Sequence, residues 1–550
     1  MPNGERHALR RRRHPPRRLG PADDRPPDRP RRRPDRRGVA RDRRARLPER
    51  RQARALRRVG DERRPQPALP RTARGRGRRQ GRDGSLHLPL GRPLDRRRRG
   101  CDGRRLGVFV QRAAGLRGRL RRARRPQRQR LAQRRPPDDD VRRARGVSRG
   151  PLPEGLRPST LAVRGGQERT PYDETAEPLF LTQGYVYSTA AECEAAFTEE
   201  IDRYVYSRYG NPTVTNFEER LRLLEGAEAC FATATGMSAV FTALAAVCRQ
   251  GSRVVASRAL FGSTLVVLND ILAGWGVVTD LVDGHDVEQW RAALATPADV
   301  VFFESPSNPM MDVVDMRAVS DLAHAAGAIV MVDNVFATPV LSRPLDFGAD
   351  VVIYSATKHI DGQGRVLGGA ILGSKEFVKG PVQHLVRNTG PTMSAFNAWV
   401  LLKSLETMPL RVRAQSAAAL EIATALEADD RVGQVRYPYL PSHPQHELAV
   451  QQQSAGGTVV TFDLAMPEGT TPEQAKERAF RFLDALQLID ISNNLGDAKS
   501  LVTHPATTTH RKVGAAGRAA VGIGETTIRF SVGLEDVADL LADVRQALSA

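Results

Sequence analysis

Short apolar stretches alternate with helical patterns through the second half of the chain. Apolar runs of about five residues are typical of buried strands, and they occupy residues 229–233, 253–257, 277–281, 300–304, 329–333 and 351–355. Apolar residues at helical spacing predict helices over residues 217–224, 236–247, 264–273, 287–295 and 316–326. This alternation predicts an α/β fold with a mostly parallel sheet and helices on both faces.

The pattern changes on both sides of this region. Residues 155–216 have little periodicity and are expected to form an irregular arm. After residue 405 a long Ala/Leu helix over 412–428 precedes strands near 457–464 and 527–532 and a final helix over 534–548, which predicts a smaller α+β domain. The expected division is an arm at 151–216, a large domain at 217–405 and a C-terminal domain at 406–550.

Composition separates the first 150 residues from this pattern. They contain 53 arginines, no lysine and 15 acidic residues, and their only aromatic residue is Phe109. The whole chain carries a formal charge of +23, so the other 400 residues carry −15. The N-terminal segment has too little apolar surface to offset its chain entropy, and we expect it to be disordered.

Three interpretations of this basic segment remain open. An arginine-rich arm could bind nucleic acid through its phosphates. The segment could also be a disordered extension, or the result of a start site assigned too far upstream. The absence of lysine favours the last, because GC-rich DNA read in an unselected frame encodes Arg, Pro, Gly and Ala but little Lys. We therefore expect no nucleic-acid partner.

Several classes of protein are excluded by what the chain lacks. The four cysteines show neither a disulfide framework nor a metal-binding spacing, so no metal is expected. The chain has no run of about 18 apolar residues, the length that a membrane-spanning helix needs. The N-terminus also lacks the apolar stretch of a secretory signal. A cytoplasmic enzyme is the expectation.

Polar residues follow the predicted strands one after another. Gly236 and Met237 follow the first strand and Asn308 follows the strand at 300–304, while Asp333 ends the next. Ser355, Thr357 and Lys358 follow the last strand of the series. Ligands of open α/β sheets bind at these strand ends. A lysine, a carboxylate and an anion site at a helix N-terminus match the needs of pyridoxal 5'-phosphate.

Each of these residues has an ordinary explanation when it is taken alone. Lys358 in Ser-x-Thr-Lys could begin a helix, Asp333 could cap one, and Gly236 could serve a turn. Their order at successive strand ends is what favours a cofactor site.

The segment Ser355–Gly369, SATKHIDGQGRVLGG, resembles the cofactor-lysine segment of the Cys/Met-metabolism family of pyridoxal-phosphate enzymes. The resemblance covers nearly all of residues 156–550 and none of residues 1–150. It also includes YSRYGNPT from Tyr206, TGMSA from Thr235, DNVFATP from Asp333 and IRFSVGLED from Ile528. The family implies a fold-type-I transferase that works at least as a homodimer, with a homotetramer expected.

Within the family, GQGR at 362–365 and NTGP at 388–391 look most like the homoserine-ester sulfhydrylases. The implied reaction is a γ-replacement in methionine biosynthesis, in which sulfide displaces succinate from O-succinyl-L-homoserine to give L-homocysteine. Cysteine as the thiol, or an acetyl leaving group, stays open as an alternative.

The resemblance also implies roles for individual residues. Lys358 would bind the cofactor covalently, Asp333 would hold its ring nitrogen, and Asn308 would contact its ring hydroxyl. Gly236, Met237, Ser355 and Thr357 would bind the cofactor phosphate. Tyr206 and Arg208 would reach the cofactor phosphate of the neighbouring subunit. Arg529 and Ser500 would bind the substrate. Phe261 would stack on the cofactor where the family usually has Tyr, which removes a hydroxyl from that position.

Overall fold

A computed structural model describes residues 152–550, and the predictions made for residues 1–150 lie outside this range. The strands are β1 (Ala229–Thr233), β2 (Arg253–Ser257), β3 (Val278–Val282), β4 (Val300–Glu304), β5 (Ile329–Asp333), β6 (Val351–Tyr354), β7 (Gly369–Gly373), β8 (Val432–Arg436), β9 (Val459–Leu464), β10 (Asp490–Ile491), β11 (Leu501–Thr503) and β12 (Thr527–Ser531). The α-helices are Pro158–Arg164, Ala190–Phe197, Pro212–Glu225, Gly236–Val247, Gly262–Val266, Val287–Ala293, Met316–Ala325, Thr338–Leu341, Lys375–Phe377, Gln383–Thr389, Ala395–Leu405, Met408–Glu427, His446–Gln452, Pro472–Ala485, Gly514–Ala520 and Val537–Leu548.

The larger sheet has seven strands in the order β1-β7-β6-β5-β4-β2-β3. Strands β2 to β6 pair in parallel, while β7 runs antiparallel to both of its neighbours, β6 and β1. The predicted mostly parallel sheet is confirmed. Because the parallel strands point the same way, their carboxyl ends meet at one edge of the sheet.

Helices cover both faces of this sheet, as the side chains of β4 illustrate. Val300 and Phe302 pack in a core that includes residues of the helix Gly236–Val247. Val301 and Phe303 face the other way and pack with Trp290. Successive strand residues point to opposite faces, so a strand that is buried on both faces is apolar throughout.

The smaller sheet has five strands in the order β10-β11-β12-β9-β8. Strands β8, β9, β12 and β11 pair antiparallel, and only the short β10 pairs in parallel. Its core packs Phe462 and Phe530 against residues of three helices, Met408–Glu427, Pro472–Ala485 and Val537–Leu548. This is the predicted α+β architecture, whereas the proposed domain boundaries stay predictions.

The structure departs from the sequence predictions in the arm, in one predicted helix and in elements that were not predicted, such as β7, β8 and the helix Pro472–Ala485. The arm expected to be irregular contains the helices Pro158–Arg164 and Ala190–Phe197. The helix predicted over 264–273 is broken into an α-helical turn, a π-helical stretch over Val267–Leu272 and a 3₁₀ turn. Strand β7 was not predicted, because a run of five residues bounded by glycines gives little strand signal. Among residues 152–550, no helix combines the length and apolarity needed to cross a membrane.

Candidate active site

A cavity of about 240 Å³ lies at the carboxyl edge of the seven-stranded sheet. It collects most of the residues that the sequence singled out, namely Gly236, Met237, Phe261, Asn308, Asp333, Ser355, Thr357, Lys358 and Arg529. These residues span nearly 300 positions of the chain. Their convergence follows from the parallel strands, whose ends meet at this edge.

One end of the cavity is formed by the start of the helix Gly236–Val247. Thr235 caps this helix by accepting a hydrogen bond from the Ser238 N–H at 3.0 Å. The N–H groups of Gly236 and Met237 have no partner within the part of the chain that the structure describes. A Cβ atom on Gly236 would lie 2.5 Å from Ser355 Cβ, so only glycine lets the helix approach the end of β6 this closely. Free amides beside the Ser355 hydroxyl form a site for a phosphate.

Two carboxyl groups lie side by side in the cavity wall. Asp333 ends β5 and is the register partner of Glu304, which ends the adjacent strand β4. Burial raises the pKa of Asp333 to about 7. Burial, with a further contribution from Asp333, raises the pKa of Glu304 well above its usual value. A cation such as a protonated ring nitrogen would stabilise the charged form of Asp333.

Lys358 brings an amine into the same cavity. Burial, and to a smaller extent the charge of Arg529, lowers the pKa of Lys358 to about 8. Its Nζ donates a hydrogen bond to Asn494 Oδ1. A lysine with a lowered pKa is partly neutral near physiological pH, which suits both attack on a carbonyl carbon and proton transfer.

Arg529 is a buried cation in the cavity wall, with 2% of its surface exposed. Its Nη1 donates to Asn308 Oδ1 at 3.1 Å, and its Nη2 donates to the Asn493 and Asn494 carbonyls at 2.9 and 3.1 Å. Its buried Nε has no partner, and no carboxylate pairs with it among residues 152–550. Burial lowers its pKa to about 10. An anionic ligand, such as a substrate carboxylate, would satisfy this group.

Three of the predicted site residues lie elsewhere. Ser500 does not line this cavity, because its hydroxyl donates to Glu535 Oε2 at 2.9 Å and accepts from the Gly533 N–H at 2.9 Å. Arg208 lines a separate cavity of about 770 Å³, where its guanidinium lies 4.8 Å from the centre of the Tyr209 ring. Tyr206 is 40% exposed. The action of Tyr206 and Arg208 on a neighbouring subunit stays a prediction.

No role was predicted from the sequence for Glu304 or Asn494. Glu304 ends a strand one step before Asp333 in the series, and it accepts a hydrogen bond from the Phe261 N–H at 2.6 Å. Asn494 lies six residues before Ser500 in the chain. The strand-end pattern could have indicated Glu304, whereas nothing local links Asn494 to Lys358.

These residues fit pyridoxal phosphate. The unpartnered amides of Gly236 and Met237 suit its phosphate, the Asp333 carboxyl suits its ring nitrogen, and Lys358 suits its carbonyl carbon. The carboxylate of an amino-acid substrate would give the unpartnered Nε of Arg529 an acceptor.

Comparison with known proteins agrees with this chemistry. The chain is 62% identical over 398 residues to O-succinylhomoserine sulfhydrylase of Mycobacterium tuberculosis strain H37Rv, covering 72% of this chain and 97% of the relative. It is 48% identical over 397 residues to O-succinylhomoserine sulfhydrylase of Pseudomonas aeruginosa, covering 72% and 96%.

A similar solved structure comes from Campylobacter jejuni and contains N'-pyridoxyl-lysine-5'-monophosphate. It matches with a TM-score of 0.68 at 28% identity and covers 72% of this chain and 100% of its own. The family profile described as Cys/Met metabolism PLP-dependent enzyme matches residues 159–549. This chain therefore belongs to the Cys/Met metabolism family of enzymes that depend on pyridoxal phosphate.

Proposed function

We propose that this enzyme makes L-homocysteine and succinate from O-succinyl-L-homoserine and sulfide, a step of methionine biosynthesis. The observation that carries this proposal is the 62% identity to the M. tuberculosis O-succinylhomoserine sulfhydrylase over 97% of that protein's length. In the reaction the bond between Cγ and the ester oxygen breaks, and the succinate leaves with the electron pair. A carbon–sulfur bond forms at Cγ, and one proton of hydrogen sulfide is released.

Bound pyridoxal phosphate supplies an electrophilic carbon that binds amines and a ring that withdraws electrons from the bonds at the substrate α-carbon. Residues of this chain would hold the cofactor from several sides. Asp333 would hold its ring nitrogen, Asn308 would contact its ring hydroxyl and Phe261 would stack on its ring. Gly236, Met237, Ser355 and Thr357 would bind its phosphate.

Lys358 moves the protons of the reaction. Its lowered pKa, about 8, leaves part of the amine neutral near neutral pH, so Nζ can accept the proton from the substrate α-carbon. Asn494 Oδ1 accepts a hydrogen bond from the Lys358 amine and so fixes its position. Phe261 has no hydroxyl, so it cannot share this acid–base work.

Arg529 orients the substrate. A carboxylate that takes two hydrogen bonds from this guanidinium would fix the amino acid's backbone end and leave its Cγ ester free to point elsewhere. Asn308 already contacts Arg529 at 3.1 Å, so the carboxylate and the cofactor ring would be held by one connected group. We assign no substrate contact to Ser500, because its hydroxyl is bonded to Glu535 and Gly533.

We further propose that the active unit is at least a homodimer, and a homotetramer in its full assembly, working in the cytoplasm. Arg208 and Tyr206 do not line the cavity of their own chain. This supports an action on the cofactor phosphate of a neighbouring subunit.

Product analysis tests the proposed reaction. Purified enzyme is given O-succinyl- or O-acetyl-homoserine, each with sulfide or with cysteine. We expect the succinyl ester with sulfide to have the highest kcat/KM, by about ten-fold or more. A higher value for the acetyl ester, or cystathionine formed faster than homocysteine, would overturn the assignment of the leaving group or of the thiol.

A further inference from the structure

The turn Gly362–Arg365 follows the cofactor lysine and has no role in the proposed chemistry. We propose that this turn is a positioning element, which fixes the loop 493–499 and thereby the acceptors that orient Arg529 at the substrate site. The kinetic part of the proposal rests on the proposed function, whereas its structural part does not.

Gly362 ties the turn to the loop and to a buried cation. Its carbonyl accepts a hydrogen bond from the Ala498 N–H at 2.8 Å. Its φ of +65° suits glycine, and a Cβ atom there would lie 1.8 Å from Arg411 Nη1. Arg411 is itself held by its bond to the His359 carbonyl at 2.9 Å, next to Lys358. The turn therefore packs closely on both partners.

Gly364 packs against one side chain of the loop, that of Asp497. Its φ is also +65°, and a Cβ atom there would lie 2.7 Å from Asp497 Oδ2, with no other residue within 4 Å. Asp497 Oδ1 accepts from the Lys499 N–H at 3.0 Å. The Asp497 carbonyl accepts from Gln415 Nε2 at 2.7 Å, and Gln415 also donates to Val532 at 2.9 Å. Asp497 is thus held through its Oδ1 atom and its carbonyl, and the turn lies against its Oδ2 atom.

The other end of the same loop reaches the substrate residues. The carbonyls of Asn493 and Asn494 accept hydrogen bonds from Arg529 Nη2, and the Asn494 side chain accepts one from Lys358. Only two residues separate Asn494 from Asp497, so a shift at Asp497 moves the acceptors that orient Arg529. The amides of Gly236 and Met237 lie on a different element, and a shift of the loop leaves them in place.

Replacing Gly364→Ala tests the proposal, with Gly327→Ala as the matched control. Gly327 also has a positive φ, +80°, but a Cβ atom there would meet nothing within 4 Å. In Gly364→Ala we expect faster amide hydrogen exchange in the peptide containing 493–499, both with and without cofactor. We also expect KM for the homoserine ester to rise about five-fold or more, with the Kd of pyridoxal phosphate within about two-fold. Gly327→Ala should change none of these quantities.

Asp497→Ala completes a double-mutant cycle. It removes the carboxylate that a Cβ atom at position 364 would meet. The amides of residues 493–499 in the double variant Gly364→Ala/Asp497→Ala should therefore exchange no faster than in Asp497→Ala alone. If Gly364→Ala does not fold, the double variant still reports on this contact. The proposal would be overturned if Gly364→Ala showed the same amide exchange and the same KM as Gly327→Ala. It would also be overturned if Gly364→Ala lost cofactor affinity by the same factor as it raised KM. If no homoserine ester is turned over, the proposed function fails, while the exchange measurement still decides this inference.

Discussion

At the scale of single residues, burial moves three ionisable groups of the cavity from their usual protonation equilibria. The pKa is lowered to about 8 at Lys358 and to about 10 at Arg529, and raised to about 7 at Asp333. All three shifts favour the neutral form, which is the expected effect of an apolar environment on a charged group. A bound ligand of opposite charge would therefore stabilise the charged form of each of these groups.

The raised pKa of Asp333 makes the stability of the cofactor-free protein depend on pH. A carboxyl whose pKa is raised in the folded state stabilises that state fully below its ordinary pKa, and the contribution is lost as the pH rises through about 7. Asp333→Asn removes this titration. The variant should gain stability over the wild type between pH 5 and pH 8, on the order of 2 kcal/mol. Urea unfolding of both cofactor-free proteins at the two pH values measures the gain.

Asp321→Asn is the matched control, because Asp321 is exposed on the protein surface. It should change the free energy of unfolding equally at both pH values. A pH-independent difference between Asp333→Asn and the wild type would contradict the raised pKa.

Residue by residue, the sequence predicted best where chemistry follows directly from a strand end. Asp333 and Lys358 were found because each ends or follows a strand, and both line the cavity. Asn494 could not be found this way, since its contact with Lys358 joins positions 136 residues apart. Glu304 could be recognised as the end of a strand. Its position beside Asp333 depends on the register of β4 and β5, which a single sequence does not reveal.

At the scale of elements, the start of the helix Gly236–Val247 depends on one contact. Gly236→Ala would place a methyl group 2.5 Å from Ser355 Cβ, so the helix must move away from β6. We expect the Kd of pyridoxal phosphate to rise by about ten-fold or more, since the loss of one or two phosphate contacts costs at least about 1.4 kcal/mol. Fluorescence titration of the cofactor-free protein measures this.

Gly274→Ala serves as the control for that experiment, because a Cβ atom there would have no neighbour within 4 Å. It should leave the Kd unchanged. Equal cofactor affinity in Gly236→Ala and the wild type would exclude this helix start as a phosphate site.

The elements themselves were predicted unevenly. The bounds of β1, β2, β4 and β5 match the apolar runs residue for residue, because these strands are buried on both faces. Strand order was not available from the pattern, since β1 pairs with β7, more than 130 residues away, rather than with β2. Such pairings depend on the packing of the whole sheet.

At the scale of the whole molecule, the arm is held to the body by a buried ion pair. Arg220 Nη2 pairs with Glu177, and their side chains are 0% and 1% exposed. Glu177→Ala would remove the buried partner of Arg220 and leave it only Glu406, 3.5 Å away, as a carboxylate partner in the described part of the chain. We expect a loss of about 3 kcal/mol in unfolding free energy. Glu219→Ala breaks the half-exposed pair with Arg222 and should cost less than about 1 kcal/mol. Similar urea midpoints for the two variants would show that the arm is anchored in another way.

A shared site predicts complementation between inactive variants. Arg208→Ala should weaken cofactor binding in the neighbouring site, and Lys358→Ala should abolish catalysis in its own. Mixing the two under conditions of subunit exchange should restore part of the activity, because a hybrid dimer has one site with neither substitution. Mass spectrometry must verify the exchange. No recovery in confirmed hybrids would place both residues in the same site.

The unpartnered Nε of Arg529 has a consequence for the resistance of the protein to proteolysis. A buried cation without an anion costs free energy in the folded state, and any small carboxylate that reaches its Nε repays that cost. Binding to the folded chain alone adds RT ln(1 + [L]/Kd) to its stability. The enzyme should then resist proteolysis best while its amino-acid substrate is bound.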